Sequence, residues 1–285
     1  MQSLQQQLRE FVSGWGGRVL QCNAEDCAGT RRAWQRISTG AGSVCVHGLR
    51  YCFPQCFERE LRKRFDRTQL ARGARQHPAH RMPLGLLMLS RGRLTDSQLR
   101  HALEEQKLHP GRRIGECMQR LGYVSEPQVI AALATQWCCP VLKALPQRIV
   151  ECGVPMSFLK NFHMLPVHFS VVARTLHLAF AGDVEYPALL AIEKVLDCKT
   201  EACLTTPSGL QAAFQRVDKQ IACVEKEFEG ARGAKEMTRI TVSYAGRLGA
   251  DDVRIAACGE IVWVKIDGSK EVINLVFNAM SARAA

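Results

Sequence analysis

Four cysteines, set in two close pairs, carry the most distinctive side-chain chemistry in this chain. Cys22 and Cys27 enclose four residues, and Cys52 and Cys56 enclose three. A thiol pair on one turn can reach a metal ion from one side, and two such pairs close a tetrahedron of thiolates. Between the pairs, SVCVHGLRYCF alternates like a tight hairpin turning at Gly48, and FERELRKRF after Cys56 has helical character. Cys56 therefore falls at a helix N-terminus, where the dipole favours a thiolate. The expected ion is a structural Zn2+ held by Cys22, Cys27, Cys52 and Cys56, since four thiolates leave no open position for catalysis. Such an ion would replace a core that so short a segment is too small to make. Cys45 and His47 are spare donors. The alternative for the same residues is a set of reduced, buried thiols without metal.

A second pattern is written twice. PLGLLMLSRGRLTDSQLRHALEEQ, from Pro83 to Gln106, and RIGECMQRLGYVSEPQVIAALATQ, from Arg113 to Gln136, align at a shift of 30 residues with seven of 24 positions identical. Chance would give roughly one or two identities, so this is an internal duplication. Each copy reads as helix, turn, helix. Gly92 and Gly122 stand where a first helix must stop in the left-handed conformation that glycine takes most easily. Thr95 with Gln98, and Ser125 with Gln128, form the capping signature of a second helix, and Pro127 is tolerated in its first turn. Two such hairpins, joined by HPGR at residues 109–112 and related by a pseudo-twofold, predict a four-helix unit.

The elements around these patterns set the remaining expectations. Leu4, Leu8, Phe11 and Val12 share one face of a short amphipathic helix over residues 3–15. The basic stretch Arg59 to Arg81 reads as a helix running into a linker. From Trp137 runs an extended, proline-broken connector, WCCPVLKALPQ, then a short helix with Val154, Phe158, Leu159 and Phe162 inward. MLPVHFSVV and RTLHLAFA form a hairpin around Ala173 and Arg174, followed by helix, strand and helix: a small α/β sandwich with a three-stranded sheet. Beyond residue 218, KQIACVEKEFEGARGAK reads as a polar helix, and TRITVSYA, DDVRIAAC, EIVWVKI and EVINLVF read as strands, either a separate β-rich domain or an added sheet. The fold class is thus α+β and multidomain. Its parts are a zinc-ribbon- or treble-clef-like module with flanking helices over 1–70, a basic linker over 71–82, the duplicated hairpins over 83–145, the α/β sandwich over 146–217, and the β-rich segment over 218–285.

Composition narrows the function classes. The chain has 285 residues, thirteen cysteines and a formal net charge of +11, which favours an anionic partner without naming one. Scattered cysteines in a chain without a secretory core point to buried thiols and a metal rather than to a disulfide framework. No apolar run approaches the roughly 20 residues that span a bilayer, and MQSLQQQLREF has no signal-peptide core, so a cytoplasmic location is expected. No GxxxxGK[ST], HExxH or GxSxG motif occurs, and no enzyme activity is expected.

The duplicated motif, roughly RLGxxLxxxGxIxxxxLxxALxxQ, resembles that of the N-terminal domain of type II secretion and type IV pilus assembly ATPases, the MshEN-type or GspE/PulE N-terminal family. The stretch from His163 to Phe214 is similar to that family's second subdomain, so the resemblance covers about residues 81–217. The chain lacks the family's ATPase motif. The resemblance implies one cyclic di-GMP bound by the two copies, a two-half site for a two-half ligand. It implies contacts from Arg81, Leu84, Gly85, Met88, Leu89, Gly92, Leu94 and Gln106 in and beside the first copy. From the second it implies Arg113, Ile114, Gly115, Met118, Gly122, Val124 and Gln136. The glycine after the first apolar residue would admit close backbone approach, arginine would stack on a base or meet a phosphate, and glutamine would reach polar edges. The first copy departs from the motif, with Pro83 in the arginine position and Arg81 two residues earlier. The implied role is a second-messenger receptor that regulates a partner in secretion, pilus or related machinery. A scaffold of the same systems that ignores the nucleotide is the alternative. A nucleic-acid binder working through the cysteine module and Arg59–Arg81 ranks below both.

Overall fold

The structure is a computed structural model, described here for residues 22–25, 27, 42–71, 81–147, 150–217, 224–230, 233–269 and 271–278. The helix expected over residues 3–15 lies outside them. Among the described residues there are nine helices and two sheets, and no helix is long and apolar enough to cross a membrane. The chain divides into two compact units, one drawn from residues within 1–73 and 224–285, the other from residues within 74–223.

The first unit is built on a six-stranded sheet. Strands β1 (Ser43–Val46) and β2 (Leu49–Cys52) form the expected hairpin, with His47 and Gly48 both at positive φ in the turn. That geometry matches the twist of the flanking strands. Helix α1 (Gln55–Ala71) follows directly. The remaining strands come from the far end of the sequence: β6 (Glu225–Glu229), β7 (Ala250–Cys258), β8 (Ile261–Gly268) and β9 (Val272–Asn278). The sheet order is β2-β1-β7-β8-β9-β6, with β1 parallel to β7 and β6 parallel to β9. Helix α9 (Ala234–Leu248) joins α1 over one core, which includes Phe57, Leu61, Phe65, Met237, Val253, Val264, Leu275 and Phe277.

Three sequence expectations change here. The boundaries at residues 70 and 218 do not mark separate domains, because β1 pairs with β7 across Val46 and Val253. TRITVSYA is not a strand but the middle of α9. Its apparent alternation hides a helical set, Met237, Thr238, Thr241 and Ala245, all buried. Gly233 opens this helix in an extended conformation and Gly249 closes it at φ +58. The polar helix expected from residue 218 is, where it is described, the strand β6, whose Phe228 stacks on Phe277 at 5.1 Å.

The second unit begins with four helices, α2 (Leu84–Ser90), α3 (Asp96–Leu108), α4 (Ile114–Arg120) and α5 (Glu126–Trp137). Their core is Met88, Leu94, Ala102, Met118, Val124, Val129 and Ala132. The connector after α5 runs beside the sheet that follows, where Leu142 donates its N–H to the Leu204 carbonyl at 2.7 Å. Helix α6 (Met156–Asn161) buries Phe158 and Leu159. Strands β3 (Met164–Ser170), β4 (Thr175–Phe180) and β5 (Lys199–Leu204) form the three-stranded sheet in that order, β3 and β4 antiparallel, β4 and β5 parallel. Helix α7 (Tyr186–Leu196) makes the crossover and α8 (Pro207–Val217) closes the unit. β4, the central strand, is buried on both faces, as a strand between two neighbours and helices must be.

Candidate functional site

The two sequence copies fold alike, down to single hydrogen bonds. At the end of α2, Arg93 donates to the Met88 carbonyl and Gly92 to that of Leu89; at the end of α4, Tyr123 donates to Met118 and Gly122 to Gln119. This paired pattern requires a left-handed residue after the helix, and Gly92 and Gly122 have φ +64 and +72. Capping boxes then start α3 and α5: Gln98 Oε1 accepts from the Thr95 N–H at 2.9 Å and Gln128 Oε1 from that of Ser125 at 2.8 Å.

The copies also close on each other. Gln106, the last residue of the first copy, donates from Nε2 to the Arg112 carbonyl at 3.0 Å, just before the second copy begins. Gln136, the last of the second, donates to the Met82 carbonyl at 2.7 Å, just before the first begins. Each glutamine thus holds the start of the other copy, the exchange a pseudo-twofold produces. Across the same seam, His101 Nδ1 and the Tyr123 hydroxyl share a hydrogen bond of 2.6 Å.

The residues implied to meet a ligand fall into three groups. Met88, Met118, Leu94 and Val124 are core side chains, from 0% to 6% exposed. Gly85 and Gly115 are buried as well, and serve helix packing. A Cβ at Gly85 would lie 2.6 Å from Leu99 Cδ1, and one at Gly115 would lie 3.1 Å from Val129 Cγ1. Leu99 and Val129 occupy equivalent positions in the two copies, so the glycines let each short helix press against the helix that follows it. Arg81, Leu84, Leu89, Gln106, Ile114 and Gln136 are half-buried, while Gly92, Gly122 and Arg113 are exposed.

The two arginines sit in different surroundings. Arg113 Nη1 pairs with Asp183 Oδ2 at 3.0 Å, and the backbone of Gly182, at φ +110, passes so close that a Cβ there would meet Nη1 at 3.1 Å. The Arg81 guanidinium lies 3.3 Å above the centroid of Trp137 and 5.9 Å from that of Tyr186. Asp183, Trp137 and Tyr186 went unread in the sequence, where Trp137 belonged to the connector and the others to the α/β part. The one available signal was Trp137 directly following the motif glutamine. A further tie joins the helical and α/β parts: Glu126, in the first turn of α5, accepts from the Ser208 N–H at 2.9 Å and its hydroxyl at 2.7 Å in the first turn of α8.

In the first unit, the Sγ atoms of Cys22, Cys27, Cys52 and Cys56 all lie within 4.8 Å of one another, with Cys27 and Cys52 at 4.0 Å. These separations are far beyond a disulfide bond. They approach the edge of about 3.8 Å that follows from four sulfurs each roughly 2.3 Å from one zinc ion. Cys52 ends β2, Cys56 lies in the first turn of α1, and the turn carrying Cys22 and Cys27 is tied to β2 by the Asn23 N–H to Arg50 carbonyl bond at 2.9 Å. Burial raises the Cys22 thiol, but hydrogen bonds from the backbone at Ala24 and Cys52 and from the neighbouring thiols outweigh it, and the group sits below its ordinary value. Burial, then the Cys27 and Cys22 thiols, push Cys56 up to about 12. Four such thiols ionise together only beside a cation, and the donor set therefore fits a soft divalent metal.

Cys45 and His47 are not members of the cluster. His47 instead accepts the Ile255 N–H at 2.9 Å through Nε2. Nor does the cysteine hairpin lack a core: Cys56 is 6% exposed and packs with Phe57, Leu61 and the sheet, so a metal here would not stand in for one.

No family model matches the chain, and no curated protein matches it. Solved structures do. A structure of MshE with cdg (cyclic di-GMP) is 28% identical over 48% of this chain and 99% of that one, with a TM-score of 0.41. The N-terminal domain of XpsE is 24% identical in two crystal forms. They cover 47% and 45% of this chain and 92% and 90% of that domain, with TM-scores of 0.37 and 0.29. About half of this chain is similar to these proteins.

Proposed function

We propose that this protein is a cyclic di-GMP receptor that couples the nucleotide to a partner in secretion, pilus or related machinery, in the cytoplasm. The observation that carries the reading is the exchanged closure of the two copies through Gln106 and Gln136. It supports the reading because it relates the two copies by a pseudo-twofold, the symmetry of a cyclic dinucleotide of two guanines and two phosphates. The motif resemblance supplies the ligand class. Of the implied contacts, the half-buried and exposed set is the reachable one: Arg81, Leu84, Leu89, Gly92, Gln106, Arg113, Ile114, Gly122 and Gln136. Arg113 would give a charge-assisted bond to a phosphate or a plane for a base. The buried set, Gly85, Met88, Leu94, Gly115, Met118 and Val124, shapes the helices that carry these residues.

Calorimetric titration of the full chain with cyclic di-GMP at tens of micromolar tests the reading. Saturable binding is expected, weakened about ten- to hundredfold by Arg113→Ala, the loss of one charged hydrogen bond. A flat titration removes the nucleotide and leaves the second reading, a scaffold on the same fold. Pro83 in the arginine position and the core burial of four motif side chains favour that second reading.

For the cysteine cluster we propose a structural zinc ion held by Cys22, Cys27, Cys52 and Cys56, pinning the turn at residues 22–27 to β2 and α1 in a zinc-ribbon- or treble-clef-like corner. Metal analysis of the purified protein is expected to give one zinc per chain, and Cys27→Ser is expected to lower it. No enzymatic activity is proposed.

A further inference from the structure

The second copy of the motif has a cation at its first position, Arg113, and the first copy has Pro83 there. The structure shows what stands nearby in its place. Gln136 holds the Met82 carbonyl at 2.7 Å, which brings the C-terminal end of α5 against the start of the first copy. The next residue, Trp137, then lies under Arg81, with guanidinium carbon and ring centroid 3.3 Å apart. Tyr186, at the start of α7, closes the side: its ring is 5.9 Å from that of Trp137 and 5.9 Å from the guanidinium. Arg81 Nη1 and Trp137 Nε1 are both shielded from water, and neither has a hydrogen-bond partner. Among the described residues, the Arg81 guanidinium is oriented by stacking and cation–π attraction to the Trp137 ring, with Tyr186 beside it, and its Nη1 makes no hydrogen bond. Buried donors without acceptors are costly, so hydrogen bonding does not account for the placement of Arg81 on Trp137, and the ring contact does.

We propose that Trp137, with Tyr186 beside it, is a positioning residue that holds the Arg81 guanidinium flat as the shelf for one guanine ring of a cyclic dinucleotide. It would replace the arginine that Pro83 removes from the first half-site. This rests on the cyclic di-GMP reading above. Arg81 touches the base, and Trp137 acts through Arg81. The two half-sites are then unlike in construction: an arginine paired with Asp183 in one, an arginine stacked on an indole in the other.

Calorimetric titration with cyclic di-GMP on the full chain decides it, using the wild type, Arg81→Ala, Trp137→Ala, Trp137→Phe and the double variant Arg81→Ala/Trp137→Ala. Arg81→Ala and Trp137→Ala are each expected to weaken binding about tenfold, the scale of a desolvated cation–π contact. Trp137→Phe keeps a flat ring under the guanidinium and is expected to stay within about threefold of wild type. The double variant is expected to bind no more weakly than Arg81→Ala alone, because Trp137 has nothing left to position. Losses that add in the double variant, or either alanine variant binding like the wild type, overturn the proposal while leaving the receptor reading in place. Wild-type protein that gives no heat overturns both. Trp137→Phe also guards against a folding artefact, since loss of binding in it at unchanged thermal stability contradicts a stacking role.

Discussion

Gly122 shows how one residue can be required by backbone geometry alone. It sits at φ +72 with open space where a Cβ would go, and Gly92 repeats the arrangement at φ +64. An alanine at either position therefore meets no neighbour, and its whole cost is the left-handed conformation, about 1–2 kcal/mol. Gly122→Ala is expected to lower the stability of the second unit by that amount in urea unfolding, while Gly122→Asn, which tolerates this region, loses clearly less. Equal losses for both would mean that something other than φ selects glycine there. Gly85 has the opposite reason for being glycine. It is helical, and a Cβ would run into Leu99 Cδ1 at 2.6 Å. The sequence made the first pair of glycines legible, since a glycine between a helical pattern and a capping box has few other uses. It did not separate a glycine that admits a neighbouring helix from one that admits a ligand, because both leave the same letter.

At the scale of elements, caps and tight turns are legible in the sequence because their decisive contacts are local. The capping boxes at Thr95 and Ser125, the turn at Gly48 and the hairpin around Arg174 each involve residues a few positions apart. TRITVSYA lies in α9 although Thr, Ile, Val and Tyr carry β propensity, because a weak propensity yields to tertiary burial. Glu126 makes an element-scale contact that no local pattern announces. Its carboxylate serves the first turns of α5 and α8 at once, taking two hydrogen bonds from Ser208, 82 residues away. Both helix ends carry partial positive charge, so the carboxylate is favoured twice. Glu126→Ala is expected to destabilise the second unit by about 1–2 kcal/mol, the upper range for a helix-end charge and its hydrogen bonds. Glu126→Gln, which keeps acceptors but not charge, is expected to lose less. Chemical denaturation followed by circular dichroism separates the two, and an unchanged midpoint for Glu126→Ala would show that the tie is idle.

At the scale of the whole molecule, the chain order hides the architecture. His47 and Ile255 share a hydrogen bond although 208 positions separate them, and no periodicity within either segment reveals that β1 will lie beside β7. The cysteine pairs were legible because their ligands are close in sequence. The sheet that carries them was not, because its strands flank an entire second unit. This bears on what zinc would do. A free-standing four-cysteine module is unfolded without its metal. Here α1 packs Phe57, Leu61 and Phe65 into a core shared with β7, β8 and β9, and Phe65 meets Phe277 edge-on at 6.3 Å. Chelation is therefore expected to release the turn at residues 22–27 and lower the melting temperature by several degrees, with the sheet kept. Residues 1–73 expressed alone are expected to show no cooperative transition even with zinc, since β1 has lost β7 and α1 has lost the strands beneath it. Residues 81–217, by contrast, contain both motif copies and the three-stranded sheet with its helices, and are expected to unfold cooperatively on their own. A zinc-loaded 1–73 fragment that melts sharply would show that the metal, and not the shared sheet, holds that end of the chain together.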